Sequence, residues 1–224
     1  MTDNQDKVFS GGEGNAYFAR NKHRDMMTKH DWPCHLLSEV AIEKPVESVL
    51  ELGCMDGYRL ERLRSVYPQA RMVGIDASSE AIASGQQKYP NVELHAGVLA
   101  DPPVQGQFDI VIVNFVFHWV DRQTLCQSIA SVDGLLRDGG LLVLGDFDPN
   151  HKQKTPYHHR QDVELYTFKQ DYANTFISLG IYHPLIRVSF DHDTHASTVY
   201  STTGRSRAMC CVLEKSLTGL YQTN

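Results

Sequence analysis

Gly53 and Gly57 bracket a short turn, Gly53-Cys54-Met55-Asp56-Gly57, directly after the apolar run Val49 to Leu52. A glycine turn at the carboxyl end of a strand is where an α/β sheet receives a ligand, because glycine tolerates tight backbone geometry and close approach. Asp76 follows 23 residues after Gly53, closing a second run, Val73-Gly74-Ile75-Asp76. An acidic side chain near that offset, about 20 residues, can accept hydrogen bonds from both hydroxyls of a ribose. A dinucleotide oxidoreductase competes for this reading, but it requires G-x-G-x-x-G, and Gly53 to Gly57 supplies only G-x-x-x-G.

A second constellation, Asn114-Phe115-Val116-Phe117-His118-Trp119, follows the run Ile110 to Val113 and so emerges at the same edge. An imidazole suits proton transfer near neutral pH, which makes His118 a candidate general base; a histidine capping a strand end is the competing reading. Further on, Gly145-Asp146-Phe147-Asp148 leads to Tyr157-His158-His159-Arg160, a polar cluster on the ligand-binding edge. Asp146, His158 or His159 could serve as the base there, and Arg160 with Lys169 could hold an anionic group on an acceptor. Neither His158-His159 nor Asp191-His192-Asp193-Thr194-His195 has metal-ligand spacing, so no metal is expected.

The elements that must position these residues follow from hydrophobic periodicity. From Ser48 onward, five short apolar runs alternate with helical patterns: Val49 to Leu52, Met72 to Ile75, Val92 to Ala96, Asp109 to Val113 and Leu141 to Gly145. Ile110 to Val113 is apolar on both faces, as in a parallel strand covered by helices on each side. The tail reads differently. A helix carrying Phe168, Tyr172, Phe176 and Leu179 ends at Gly180, and two runs follow, Leu185 to Phe190 and Arg207 to Lys215, with no helix between them. Such a pair cannot make a parallel crossover, so the last strand is expected to be antiparallel in a seven-stranded sheet. Upstream, Asp31 to Ile42 has helical spacing with Asp31 able to cap, and Gly11, Gly12 and Gly14 interrupt any regular element.

Taken in order, the glycine turn after acidic Glu51, the strand-ending Asp76, the Phe108 to Val111 run and the segment Leu135 to Leu144 resemble the motifs of class I S-adenosylmethionine-dependent methyltransferases. The resemblance covers residues 46 to 146 closely. It implies an α/β, Rossmann-like doubly wound sheet with an N-terminal helical extension over residues 1–44 and the catalytic domain over 45–224. It also implies S-adenosyl-L-methionine as cofactor, with Gly53 and Cys54 at the methionine end, Gly57 closing the turn, Asp76 on the ribose, Ala77 and Leu99 beside adenine, and Asn114 near the methyl group. Two positions depart from the family pattern: Met55 replaces the middle glycine, and Val98 stands where an acid often meets the adenine amino group, leaving backbone groups or Asp101 for that task. The opening Glu13 to Asn21 resembles methyltransferases of bacterial surface-polysaccharide and flagellar-glycan biosynthesis. That implies a hydroxyl of a sugar or sugar nucleotide as acceptor, with Tyr17 and Arg20 in a lid over the cofactor. Methylation of a small carboxylic acid, of the trans-aconitate type, and a non-catalytic cofactor-binding protein are the alternatives.

Composition narrows the class further. The 224 residues are 42% hydrophobic and 21% charged, enough apolar material for one core. A net charge of −6 argues against broad binding to nucleic acid or anionic membrane, and the apolar runs are far short of the ~20 residues that span a bilayer. The polar opening Met1 to Lys7 lacks a secretory pattern, and the five cysteines contain no C-x-x-C, which together suggest reduced thiols in the cytoplasm. A monomer or a homodimer is expected from the frequency of symmetric dimers.

Overall fold

The computed structural model describes residues 4–194 and 206–217. Seven strands form one sheet in the order β3-β2-β1-β4-β5-β9-β8: β1 Ser48–Leu52, β2 Arg71–Asp76, β3 Glu93–Ala96, β4 Phe108–Asn114, β5 Leu136–Phe147, β8 Tyr182–Asp191 and β9 Arg207–Lys215. The first five are parallel, and β9 runs antiparallel between β5 and β8, pairing Leu144 with Cys211 and Cys210 with Val188. The seven-stranded sheet with an antiparallel last strand agrees with the pattern of the tail.

Strand order reverses at β1, where β2 and β4 flank it on opposite sides. The carboxyl ends of β1, β2 and β4 therefore open onto one crevice, the place where such sheets bind ligands. Alternate strand residues feed two cores. Leu50, Leu52, Val73, Ile75, Val111 and Val113 pack on one face with Phe117, Tyr172 and Phe176, and Val49, Met72, Ile110 and Ile112 on the other with Trp32, Leu36 and Leu60. Burial on both faces is why these strands read as continuous apolar runs.

The helices are α1 Gln5–Val8, α2 Gly14–Asn21, α3 Trp32–Glu39, α4 Tyr58–Leu63, α5 Ser79–Lys88, α6 Leu125–Leu135 and α7 Tyr172–Ile177. Asp31 caps α3 by accepting from the Cys34 N–H at 3.1 Å, with Pro33 in the first turn. The helix stops at Glu39, short of the expected Ile42, because Val40 is already extended. A two-stranded antiparallel sheet, β6 Gln153–Pro156 with β7 Tyr166–Lys169, was not legible in the sequence. It takes Phe168, expected in the last helix, into a strand opposite Lys154; the helical spacing it shares with Tyr172 and Phe176 is outweighed by ladder pairing. Likewise β5 begins at Leu136, before the Asp138-Gly139-Gly140 turn, and its register against β4 shifts between Phe108 and Ile110. Among the described residues, no helix is long and apolar enough to cross a membrane.

Candidate functional site

The turn after β1 is built around two left-handed glycines, Gly53 at φ 81° and Gly57 at φ 80°. A Cβ on Gly53 would run into the Val116 side chain, and one on Gly57 would press on Leu94 at 3.0 Å. The N–H groups of Gly53 and Cys54 both donate to the Ile75 carbonyl, at 2.7 and 3.1 Å, so they are turned into the sheet. Met55, standing where the family pattern has glycine, also adopts positive φ, 54°. That conformation costs a side-chain-bearing residue about 1 kcal/mol or more and persists only where its surroundings hold it.

Asp76 supplies that hold. Its carboxylate accepts from Met55 N–H at 2.8 Å and from Ser78 N–H at 2.8 Å, tying the glycine turn to the start of α5. Burial nevertheless pushes its pKa up to about 6, outweighing the two backbone hydrogen bonds. Ser78 in turn caps α5 by accepting from Ala81 N–H.

These groups face a cavity of about 260 Å³ at the sheet's switch point. Of the residues singled out in the sequence, Tyr17, Gly53, Asp76, Ala77, Leu99 and Asn114 line it. Met55 and Val98 line it as well, while Asp101 is exposed and bridges back to Val98. Glu51, Cys54 and Gly57 lie behind the wall.

Glu51 is fully buried, and its carboxylate meets an arginine that sequence reasoning missed. Arg59 in α4 donates Nε to both Asp31 carboxylate oxygens at 3.0 Å, Nη1 to Glu51 Oε1 and Nη2 to Tyr58 Oη at 2.8 Å, and it lines the cavity. Two carboxylates share one guanidinium. Burial, opposed by Arg59 and reinforced by Asp31, pushes Glu51 up to about 7; Asp31, despite its burial, is held below the usual carboxylate range by Arg59. Glu51 Oε2 has no hydrogen-bond partner. No motif marks Arg59; the one available signal was that a buried acid at position 51 needs a cation.

At the far end of the cavity, Asn114, Phe115, Trp119 and His192 form the wall. Phe115 is the second residue with a side chain at positive φ, 56°. His118 points elsewhere: it is 2% exposed, its Nδ1 lies 2.8 Å from Asp146 Oδ1, and its N–H donates to Asp146 Oδ2 at 3.2 Å. This buried pair, with Asp146 also accepting from Phe147 N–H, fastens the turn Phe117–Trp119 to the end of β5. His158 and His159 are exposed, their rings 3.9 Å apart, and neither lines the cavity. Arg160 is paired with Asp162 at 2.7 Å, and Lys169 Nζ sits 4.1 Å over the Phe147 ring.

The N-terminal segment covers this end. Gln5 is buried and bonded to Asp121, Trp119 and Tyr166, and Phe9 stacks on Trp119 at 5.2 Å while Tyr17 meets it edge-on at 5.1 Å. Arg20 lies outside the cavity, where it and Tyr157 both bond to Glu13, itself 1% exposed, at 2.6 and 2.8 Å. Among the described residues no cluster of metal-ligating side chains occurs; His195 lies outside them.

Residues 49–140 match the family model described as a methyltransferase domain. The chain is 93% covered, at TM-score 0.65 and 14% identity, by the Burkholderia thailandensis 1,6-didemethyltoxoflavin-N1-methyltransferase crystallised with S-adenosylhomocysteine, of which it covers 87%. The fold is that of the S-adenosylmethionine-dependent methyltransferases. A Clostridium acetobutylicum methyltransferase of that class agrees at TM-score 0.61 and 13% identity, over 91% of this chain and 99% of that one. Among curated relatives, the Deinococcus radiodurans trans-aconitate 2-methyltransferase is 31% identical over 113 residues, half of this chain and 42% of that protein. The malonyl-[acyl-carrier protein] O-methyltransferase of Halalkalibacterium halodurans is 26% identical over 110 residues, 46% of this chain and 40% of that protein. The match thus spans less than half the length of either relative.

Proposed function

We propose that this chain is an S-adenosylmethionine-dependent methyltransferase acting on a small-molecule acceptor. The observation that carries the reading is Asp76, a strand-end carboxylate lining the switch-point cavity and locked to the glycine turn by Met55 N–H. The donor set fits the cofactor. Asp76 would hold the ribose hydroxyls, Ala77, Val98 and Leu99 would flank adenine, and Arg59 at the cavity wall would face the methionine carboxylate. When bound, S-adenosylmethionine supplies a methyl group on a positively charged sulfur, already a good leaving group. The protein's part is then alignment and exclusion of water, which Phe9, Tyr17 and Trp119 perform as an aromatic cover.

His118 and Asp146 act in this reading as positioning residues that set the Phe117–Trp119 turn and hence the wall. A neutral acceptor bearing a hydroxyl, such as a sugar, fits the pairing of Arg160 with Asp162. The names of the curated relatives favour a second reading, methyl esterification of a carboxylic acid.

Calorimetry with S-adenosylhomocysteine tests the cofactor site. Micromolar affinity, roughly −8 kcal/mol, falling about 100-fold in Asp76→Ala through loss of two charge-assisted hydrogen bonds, is expected. Absence of binding by the unsubstituted protein defeats the proposal.

A further inference from the structure

We infer that Asp6, in the N-terminal helix α1, accepts a hydrogen bond from the amino group of the cofactor's adenine, so that the N-terminal segment sets which nucleobase the cavity takes. The inference rests on the proposed cofactor reading, in which Ala77, Val98 and Leu99 flank the base. Among the described residues that line the cavity, two carry carboxylates, Asp76 and Asp6. Asp76 closes β2 and is assigned to the ribose, whereas Asp6 comes from the segment that covers the sheet edge.

The start of α6 holds Asp6 and the loop after β3 together. In that loop Gly97, Val98 and Leu99 line the cavity, and the next carbonyl, that of Ala100, accepts from Gln127 Nε2 at 2.8 Å and from Ser131 Oγ at 3.2 Å, both in α6. Thr124, the cap of α6 and three residues before Gln127, donates its Oγ1 to Asp6 Oδ2, and Asp121 N–H donates to Asp6 Oδ1 at 3.1 Å. Residues three apart at a helix start share a face, so the Thr124 and Gln127 bonds bring Asp6 and Ala100 to the same side of α6. Leu99 also packs in one core with Phe117 and Val120, and Val120 lines the cavity beside Asp121.

The chemistry of this end calls for an acceptor. The exocyclic amine of adenine carries two N–H donors, and leaving a donor unpaired in a closed cavity costs the desolvation of that group. Val98 and Leu99 offer apolar side chains. Asp101, the acid next along the chain, is exposed and outside the cavity, with its N–H turned back to the Val98 carbonyl at 3.2 Å. Asp121 accepts from Gln5 N–H and Gln123 N–H, both at 2.8 Å, and does not line the cavity either. An ionised carboxylate has about four lone-pair sites and no donor. Asp6 uses one on Thr124 and one on Asp121, which fix its orientation and leave sites for an amine. A group that only accepts also rejects a base with an oxygen in place of the amine, because two oxygens would then face each other.

The test does not require the acceptor substrate. Calorimetry on the whole chain compares S-adenosylhomocysteine with its analogue in which hydrogen replaces the 6-amino group of the base, for the unsubstituted protein, Asp6→Ala and Asp6→Asn. The quantity read is the ratio of the two affinities. Asp6→Ala also removes the bonds to Thr124 and Asp121, but a looser N-terminal segment weakens both ligands alike and cancels in the ratio. The unsubstituted protein is expected to prefer the amino form, and Asp6→Ala to cut that preference about 10-fold or more, the scale of a hydrogen bond to a charged group. Asp6→Asn, which keeps one acceptor oxygen without the charge, is expected to fall between them. A ratio that stays the same in both variants overturns the inference, even where both affinities drop, and leaves Asp6 a structural tie of α1 to α6. Failure of the unsubstituted protein to bind S-adenosylhomocysteine defeats the cofactor reading, and this inference with it.

Discussion

The two ends of the cavity are built by different means. At the cofactor end, most partners are close in sequence or lie on adjacent strands, Asp76 with Ser78 and Met55 and Gly53 and Cys54 with the Ile75 carbonyl, and the long reach is that of Asn15 in α2, which accepts from Ser78 Oγ at 2.8 Å and from Glu80 N–H at 3.2 Å. At the acceptor end, Gln5 is bonded to Asp121 and Tyr166, Tyr157 to Glu13, and His192 to Ser206. One end is a strand-turn-helix unit that any sheet of this order would carry. The other is a junction of the N-terminal segment, the turn after β4, the end of β5 and His192, just past β8. The two ends thus share the N-terminal segment but differ in the rest of their contacts.

The largest test of this contrast falls at the cofactor end. Arg59→Met leaves Asp31 and Glu51 buried without their cation, and urea denaturation should show a loss of about 3 to 5 kcal/mol. A smaller loss would mean that the two acids share a proton and need Arg59 less than the geometry suggests.

The pH dependence of cofactor affinity comes next. In the proposed site Asp76 would hold ribose hydroxyls best when ionised, and burial, which pushes its pKa up to about 6, has it take up a proton as pH falls through that value. Affinity for S-adenosylhomocysteine should be level above that pH and fall up to about tenfold per unit below it, as measured by calorimetry across buffers. A flat profile from pH 7 to 5 would remove Asp76 from the binding step.

The acceptor end should respond through its cover. Tyr157→Phe deprives buried Glu13 of a hydrogen bond while Arg20 remains, which should weaken the attachment of the N-terminal segment by about 1 to 2 kcal/mol. Amide exchange in residues 5 to 21 should quicken, with exchange in β1 and β2 unchanged. Equal acceleration in both would erase the distinction between the two ends.

The smallest effect is expected at Met55→Gly. Removing a side chain from a positive-φ position should stabilise the protein by up to about 1 kcal/mol in thermal denaturation, partly offset by the greater freedom of glycine in the unfolded chain. Destabilisation would mean that the Met55 side chain contributes more to the cavity wall than its backbone costs.

Much of the cofactor end was legible because its signals are local. The apolar runs, the glycine turn and the 23-residue offset to Asp76 are spacings along the chain, and a parallel sheet converts those spacings into a shared edge. The antiparallel tail was legible for a related reason: two strand runs without a helix between them admit few connections. The β6–β7 pair escaped notice because its residues are partly exposed and Phe168 shares helical spacing with Tyr172 and Phe176.

The sequence by itself determined the sheet, the switch point and the carboxylate that faces it, since these follow from periodicity and from what glycine permits. Tertiary structure alone decided which imidazole reaches the cavity, His192 just past β8 instead of His118 beside the motif, and that Arg59 would draw in Asp31 from the cap of α3. The reason is physical. A buried charge or a ring in a wall is defined by neighbours brought together from distant parts of the chain, and single-residue spacing carries no record of which of several histidines or arginines the packing will select.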